Sequence, residues 1–430
     1  MSTWSCRSEP PRDPRADSDP REAVTLVSLR LTDLRGYVAL DATFGLGPQL
    51  VWGPNAAGKT SLLEAIALLA WGASHRTSTD VELIRWSADV ARVEGLVRVT
   101  AAGTDQTLEV ALVRPGSPAA SAGGRKRVRV NGVPRRSAAL GEALRVVLFA
   151  PEDMLLIAGS PAIRRAVVDR IAIGRFPPYG AALATYSRAL QQRNSLLRAI
   201  RDENASRDEL RLWDQPLLDS GAEIVALRHR LLDELGPPLA SAHAEIAPEE
   251  GARGPLRIEY LTNAPLAPDE SPREALARRL AETAEKEAWN GTTLIGPHRD
   301  DLSFLHEGRD LASFASRGQQ RTAILALKLA ELDLLTAADG RPPLLLLDDV
   351  FSELDPERRA HLVRRIAELP QAFVTTTTLE DLDPALRAIA TSWEVRPGRT
   401  TEPAADARFV GPHAPSDGAE ASRSRATPAP

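Results

Sequence analysis

An α/β fold in two sequence halves, parted by a short helical insertion, is the architecture this sequence predicts, and three stretches predict it. The first is a short strand, Gln49 to Trp52, that runs into a glycine-rich loop and an apolar helix from Ser61 to Trp71. The second is Leu344-Leu-Leu-Leu347, apolar on both faces as a central parallel strand must be, and ending in Asp348-Asp349. Between them the period changes. Leu183, Tyr186, Leu190, Leu197 and Ile200 share one helical seam, and Leu217, Ile224, Leu227 and Leu231 share another, both near heptad spacing. These seams predict antiparallel helices inserted into the α/β unit.

The rest of the chain fits around this frame. With 430 residues the sequence exceeds one compact core, and its 43% hydrophobic content is that of a globular protein. Residues 1–23 and 400–430 are rich in Pro, Ser, Ala, Asp and Arg without apolar periodicity, and are expected to be a disordered leader and tail. Residues 24–161 form the first half, 162–292 the helical arm and 293–399 the second half. In the first half, Val24, Leu26, Leu29 and Leu31 mark one strand, and Val38, Leu40, Ala42 and Phe44 alternate as a second. Residues 92–149 are β-rich, with Asn131-Gly132 marking a tight hairpin and Val146 to Phe149 a closing strand. A Pro-rich break over 237–272 and a charged helix, Arg273 to Trp289, complete the arm. β-like sequence resumes at Leu294 to Phe304, followed by a helix from Gly318 to Ala337 and another from Pro356.

Composition excludes several classes. A net charge of -5 argues against bulk coating of nucleic acid, so any DNA contact must be a local patch. Cys6 is the single cysteine, which rules out a disulfide framework and a cysteine zinc cluster. The longest apolar run, residues 65–71, is far short of the roughly 20 residues that cross a bilayer. The leader shows no signal-peptide core, so the expected setting is the cytoplasm, with no membrane partner. Only four of the 53 basic residues are lysine (Lys59, Lys126, Lys286 and Lys328) and the remaining 49 are arginine. A lysine inside a glycine loop is therefore a marked choice.

That loop, Gly53-Pro54-Asn55-Ala56-Ala57-Gly58-Lys59-Thr60 followed by Ser61, satisfies G-x-x-x-x-G-K-[ST] between a strand and a helix. Glycines let such a loop wrap a triphosphate, while backbone N–H groups and the helix N-terminus attract it. Lys59 is placed to reach the β- and γ-phosphates of ATP, and Thr60 to ligate Mg2+. Asp348 sits where an outer carboxylate holds the metal ion, and Asp349 where a general base orients the attacking water. Ser316-Arg317-Gly318-Gln319-Gln320 opens a helix 32 residues before Asp348. In isolation it is a helix cap. Beside the other two motifs it reads as an ABC signature loop, whose Ser316 and Gly318 address a γ-phosphate held by a second protomer. Ser352-Glu-Leu-Asp355 then reads as the D-loop of the same interface. The fold is accordingly an ABC-type ATPase head split by the arm.

The ordered set Leu-Arg-Gly-Tyr (34–37), the phosphate loop, His75-Arg76-Thr77, Phe149-Ala-Pro-Glu-Asp153, Gly296-Pro-His-Arg-Asp-Asp301, Ser-Arg-Gly-Gln-Gln-Arg-Thr (316–322) and Leu-Asp-Asp-Val-Phe-Ser-Glu-Leu-Asp (347–355) resembles the RecF family. The resemblance runs from about residue 24 to residue 395. It implies ATP binding, an ATP-dependent head-to-head homodimer, and binding to double-stranded DNA near single-strand gaps. It also implies help in loading a RecA-type recombinase with RecO- and RecR-like partners. Arg317 departs from the smaller residue expected in the signature.

Other clusters carry less. Arg125, Lys126, Arg127, Arg129, Arg135 and Arg136 straddle the Asn131-Gly132 turn and are candidates for phosphate contacts, with a merely solvated hairpin the equal alternative. His298 with Asp300 and Asp301 lacks a second histidine at ligand spacing and reads as a turn leading into a strand rather than a metal site. Glu152 and Asp153 follow a strand whose end would lie near the nucleotide, and the sequence assigns them no role. A transporter motor is disfavoured because 256 residues separate Thr60 from Ser316 and Thr375 to Thr378 offers no switch histidine. A long coiled-coil chromosome ATPase is disfavoured by the shortness of the seams. A non-catalytic scaffold is disfavoured by the intact Lys59, Asp348 and Asp349.

Overall fold

The computed structural model describes residues 23–99, 103–122, 125–397 and 407–413. Its centre is a six-stranded sheet with spatial order Ala407–His413, Thr391–Pro397, Gly47–Trp52, Gln371–Thr376, Leu344–Asp348, Val146–Phe149. All neighbours are parallel except the outermost pair, Ala407–His413 with Thr391–Pro397. The four leucines show why the strand reads as apolar throughout. Leu345 and Leu347 join one hydrophobic core, and Leu344 and Leu346 join the other on the opposite face.

One core lies between this sheet and a six-stranded antiparallel sheet built from Tyr37–Thr43, Val24–Leu34, Val90–Val99, Thr104–Val113, Lys126–Val130 and Val133–Pro134. The helix Lys59–Trp71 fills the gap, with Leu62 to Ala70 buried on every side, all of them apolar but Glu64. In strand Val24–Leu34 the register shifts between Leu26 and Ser28. That bulge explains why the apolar phase slips from Leu26 to Leu29 in the sequence while both stay buried.

The second core joins the other face of the parallel sheet to the helix Arg317–Asp339 and to the antiparallel pair Tyr179–Arg201 and Arg211–Ile246. Tyr186, Leu197, Leu217, Ile224 and Leu231 of the two seams are all buried. The break expected from residue 237 begins later, because the second helix runs through Pro237 and Pro238 to Ile246. An interior proline costs about 3 kcal/mol. Leu231, Leu235, Leu239, Ala242 and Ile246 keep one buried face on both sides of the two prolines, and this burial opposes the cost.

Three further differences are topological. Within 237–272 lies the strand Arg257–Leu261, which pairs with Asp301–His306. The β-like run Leu294 to Phe304 is a strand only from Asp301, and residues 292–300 are turns and loop, with Gly296 at φ 130°. Residues 407–413, expected in the disordered tail, form a strand whose backbone groups pair with the sheet edge, which the Pro- and Arg-rich composition around it conceals. The leader, residues 1–22, lies outside the described residues.

Candidate nucleotide site

The phosphate loop leaves strand Gly47–Trp52 at its C-terminal end, the side of a parallel sheet where ligands bind. Gly53 has φ 148°, and a Cβ there would lie 2.1 Å from the carbonyl oxygen of Val395, so the loop tolerates only glycine at its start. Ala56 (φ 61°) and Gly58 (φ 112°) carry the turn. The helix then opens with no side-chain cap, which leaves its first N–H groups to an anion. Pro54, Asn55 and Ala56 are exposed, Ala57 is buried, and Thr60 and Ser61 are half-buried in the first helical turn.

Lys59 arches back over the loop. Its Nζ donates to the carbonyls of Gly53 (2.7 Å) and Pro54 (3.0 Å). Burial lowers its pKa, and Asp349 and then Asp348 oppose the shift. The lysine of the first half thus feels both carboxylates of the second, which brings the two motifs into one site.

Asp348 is buried at the end of its strand, and its Oδ1 accepts from the Thr375 hydroxyl at 2.6 Å. The same hydroxyl accepts from the Asp349 N–H at 3.0 Å. Asp349 adopts φ 52°, which turns the chain sharply out of the strand. The parallel register that pairs Asp348 with Thr375 also pairs Thr375 with Val51 and Thr376 with Trp52, so the central strand locks both motifs. The oxygen donors of Thr60 and Asp348 suit a hard cation such as Mg2+.

The signature residues sit elsewhere on the head. Ser316 caps the helix Arg317–Asp339: its Oγ accepts from the Gln319 N–H (3.3 Å), and the Gln319 side chain accepts from the Ser316 N–H (3.0 Å). Ser316, Arg317 and Gly318 are exposed. Among the described residues no hydrogen bond joins Ser316, Gly318 or Gln319 to the phosphate loop of the same head. Asp355 caps the next helix and accepts from the Arg358 N–H (3.0 Å), which holds its carboxyl below the usual range.

Several supports were not singled out in the sequence. The Tyr37 hydroxyl donates to the Gly58 carbonyl at 3.1 Å. Arg35 donates to the fully buried Glu64 of the phosphate-loop helix at 2.9 and 2.8 Å. Burial raises the Glu64 pKa, but Arg35, Ser74 and Arg76 more than offset this and hold it below the ordinary value. The Leu-Arg-Gly-Tyr string held the signal for two of these groups, Arg35 and Tyr37. Thr375 had none, since its partner depends on strand register.

The basic hairpin forms, with Asn131 at φ 51° and Gly132 at φ 74°. Its charges are unequal in availability. Lys126 donates to the Gly72 carbonyl (2.7 Å) and pairs with Asp80 (2.9 Å), Arg127 donates to the Ala119 carbonyl (2.9 Å), and Arg129 pairs with Glu109 (3.4 Å). Arg125 is exposed. The Gly296 to Asp301 turn is a buried polar junction: His298 meets the Tyr186 hydroxyl at 2.6 Å, Asp300 accepts from Tyr260 at 2.5 Å, and Asp301 pairs with Arg164 at 2.7 Å.

A family model described as the RecF/RecN/SMC N terminal domain matches residues 25–396. A DNA replication and repair protein RecF from Limosilactobacillus fermentum is 39% identical over 383 residues, 88% of this chain and 99% of that one. The chain belongs to the RecF family. Another RecF, from Geobacillus kaustophilus, is 39% identical over 88% of this chain and 99% of its own. The fold agrees with a solved structure of the recombination mediator protein RecF-ATP in the RecFOR pathway, with TM-score 0.78 and 30% identity over 92% of this chain and 100% of that one. A RecF-ATPrS structure gives TM-score 0.77 at 31% identity, over 87% of this chain and 96% of that one. The chain has the ABC-type ATPase head and is an ATPase of DNA replication and repair. No helix among its described residues is long and apolar enough to cross a membrane.

Proposed function

We propose that the chain is an ATP-dependent recombination mediator of the cytoplasm, which dimerises head to head around two nucleotides and binds double-stranded DNA beside single-strand gaps. With RecR- and RecO-like partners it helps load a RecA-type recombinase. Lys59 and the loop Gly53 to Ser61 hold the triphosphate, Thr60 and Asp348 hold Mg2+, and Asp349 is the base that orients water for slow hydrolysis. Ser316, Gly318 and Gln319, with Asp355 nearby, complete the site of the partner head. One observation carries the dimer: Ser316 and Gly318 lie at an exposed helix N-terminus, and among the described residues no hydrogen bond joins Ser316, Gly318 or Gln319 to the phosphate loop of the same head. A site divided in this way is whole only when two heads meet. DNA contact is assigned to the hairpin residues Arg125, Lys126, Arg127 and Arg129, with Arg125 the most available.

The test is titration of labelled duplex and gapped DNA at several salt concentrations with ATP, with ADP and without nucleotide. Two heads joined by ATP present linked sites, so ATP is expected to tighten binding at every salt concentration. Equal affinity under all three conditions contradicts the coupling of nucleotide to DNA.

A further inference from the structure

Lys328, one of only four lysines, is 1% exposed on the signature helix Arg317–Asp339. Its Nζ lies 3.1 Å from Oδ1 of Asp153 and 4.0 Å from Glu331. Burial raises the Glu331 carboxyl pKa, and Asp153 is the nearer of the two carboxylates to the ammonium. The other oxygen of Asp153 accepts from the Ala150 N–H at 2.9 Å and so fixes the turn Pro151–Met154 behind strand Val146–Phe149. Seven residues before Lys328, hence two turns away on the same helical face, Arg321 lines a small cavity with Pro151, Met154, Asp348 and Asp349.

The same turn reaches the phosphate loop in the other direction. Glu152 meets Arg76 at 3.4 Å, Arg76 meets Glu64 at 3.5 Å, and Glu64 lies five residues after Lys59 in the phosphate-loop helix. Two adjacent carboxylates therefore join two helices: Glu152 faces the one that carries Lys59, and Asp153 faces the one that begins at Ser316. The links are unequal. Arg76 and Glu152 are partly exposed, and such a pair contributes about 0–1 kcal/mol. The Lys328 pair is buried, where an ion pair adds little net stability over an apolar pair of similar size but fixes geometry. A leucine would serve the core as well as this lysine. What an apolar side chain lacks is a defined partner on the turn.

We infer that Lys328 and Asp153 are positioning residues through which ATP at a head's own phosphate loop sets that head's signature loop for the nucleotide of the partner. The inference rests on the divided-site reading proposed above. Coupling of this kind is reciprocal, so a docked partner in turn tightens the grip of the head on its own ATP.

The experiment compares wild type with Lys328→Met and with the double variant Lys328→Met/Asp153→Asn. The double variant removes both charges together and so avoids a stranded buried carboxylate. Thermal melting checks that each variant folds. A fluorescent ATP analogue measures affinity below the dimerisation midpoint, light scattering measures ATP-driven dimerisation, and hydrogen exchange follows residues 311–325 in the monomer with and without ATP. Expected for the folded double variant are ATP affinity within twofold of wild type, dimerisation weakened at least tenfold, and no response of residues 311–325 to ATP. A merely structural lysine would change exchange equally with and without nucleotide. A double variant that dimerises with wild-type ATP dependence and keeps the exchange response overturns the inference. If wild type binds ATP without dimerising, the divided site itself fails, and the exchange response of residues 311–325 still decides the coupling.

Discussion

The Thr375 hydroxyl stands between the two aspartates that follow the four-leucine run: it donates to the Asp348 carboxylate at 2.6 Å and accepts from the Asp349 backbone N–H at 3.0 Å. One side chain thus fixes both the carboxylate assigned to Mg2+ and the turn that aims the assigned base. Thr375→Val keeps the β-branched shape in the strand but leaves a buried acceptor and a donor without this partner, at about 1–3 kcal/mol each. ATP hydrolysis is expected to fall at least tenfold while ATP affinity stays within a few-fold. Steady-state hydrolysis and equilibrium nucleotide binding measure the two, and an unchanged turnover rate excludes Thr375 from the site.

Asp349→Asn separates binding from chemistry. The carboxamide retains the size of the side chain but accepts no proton from water, so ATP binding and dimerisation are expected to persist while hydrolysis drops about 100-fold or more. Single-turnover hydrolysis measures the chemical step. Normal turnover would move the base to another carboxylate, with Glu152 and Asp153 after strand Val146–Phe149 the next candidates.

His298 gives a pH dependence. Its Nδ1 accepts from the Tyr186 hydroxyl at 2.6 Å, while Nε2 faces the Thr293 carbonyl at 3.3 Å, an arrangement that fits the neutral ring. Burial pushes its pKa down to about 4 from the ordinary 6.5. Between those values the unfolded chain takes up a proton that the folded chain refuses, so this contribution is complete above pH 6.5 and is lost as pH falls toward 4. The loss approaches about 3 kcal/mol at the acid end. Urea unfolding at pH 7 and pH 5 is expected to show a steeper loss for wild type than for His298→Asn. Parallel loss in the two proteins contradicts the assignment.

The hairpin is tested by its salt dependence. Removing one arginine that neutralises a phosphate should reduce the slope of log affinity against log salt by about one unit. Arg125→Ala is expected to flatten the slope, whereas Lys126 and Arg129, already paired with Asp80 and Glu109, are expected to contribute less. An unchanged slope moves the DNA surface elsewhere and leaves the ATPase site untouched.

The strand Leu344–Asp348 and the phosphate loop were legible because each writes its constraint locally, as apolar residues on both faces or as glycines at positive φ. The bulge in Val24–Leu34 was legible only as a slip of phase. Thr375 was hidden because four consecutive threonines look alike until parallel register sets one of them opposite Asp348. Glu64 was hidden inside an apolar helix, where its partners Arg35 and Arg76 come from separate loops. Pro237 and Pro238 misled because local breaking propensity lost to a buried face that continues across them. Strand Arg257–Leu261 needed a partner about forty residues away, and no local pattern announces such a pairing.

The proposed dimer requires a nucleotide site completed by a second head. Size-exclusion chromatography with light scattering, on wild type and Lys59→Ala, with ATP, with ADP and without nucleotide, tests it most directly. Removing Lys59 takes away the side-chain cation assigned to the β- and γ-phosphates. The predicted result is a wild-type mass that doubles only with ATP and a Lys59→Ala protein that stays monomeric throughout. A mass that ignores ATP, or a Lys59→Ala variant that dimerises like wild type, contradicts the claim.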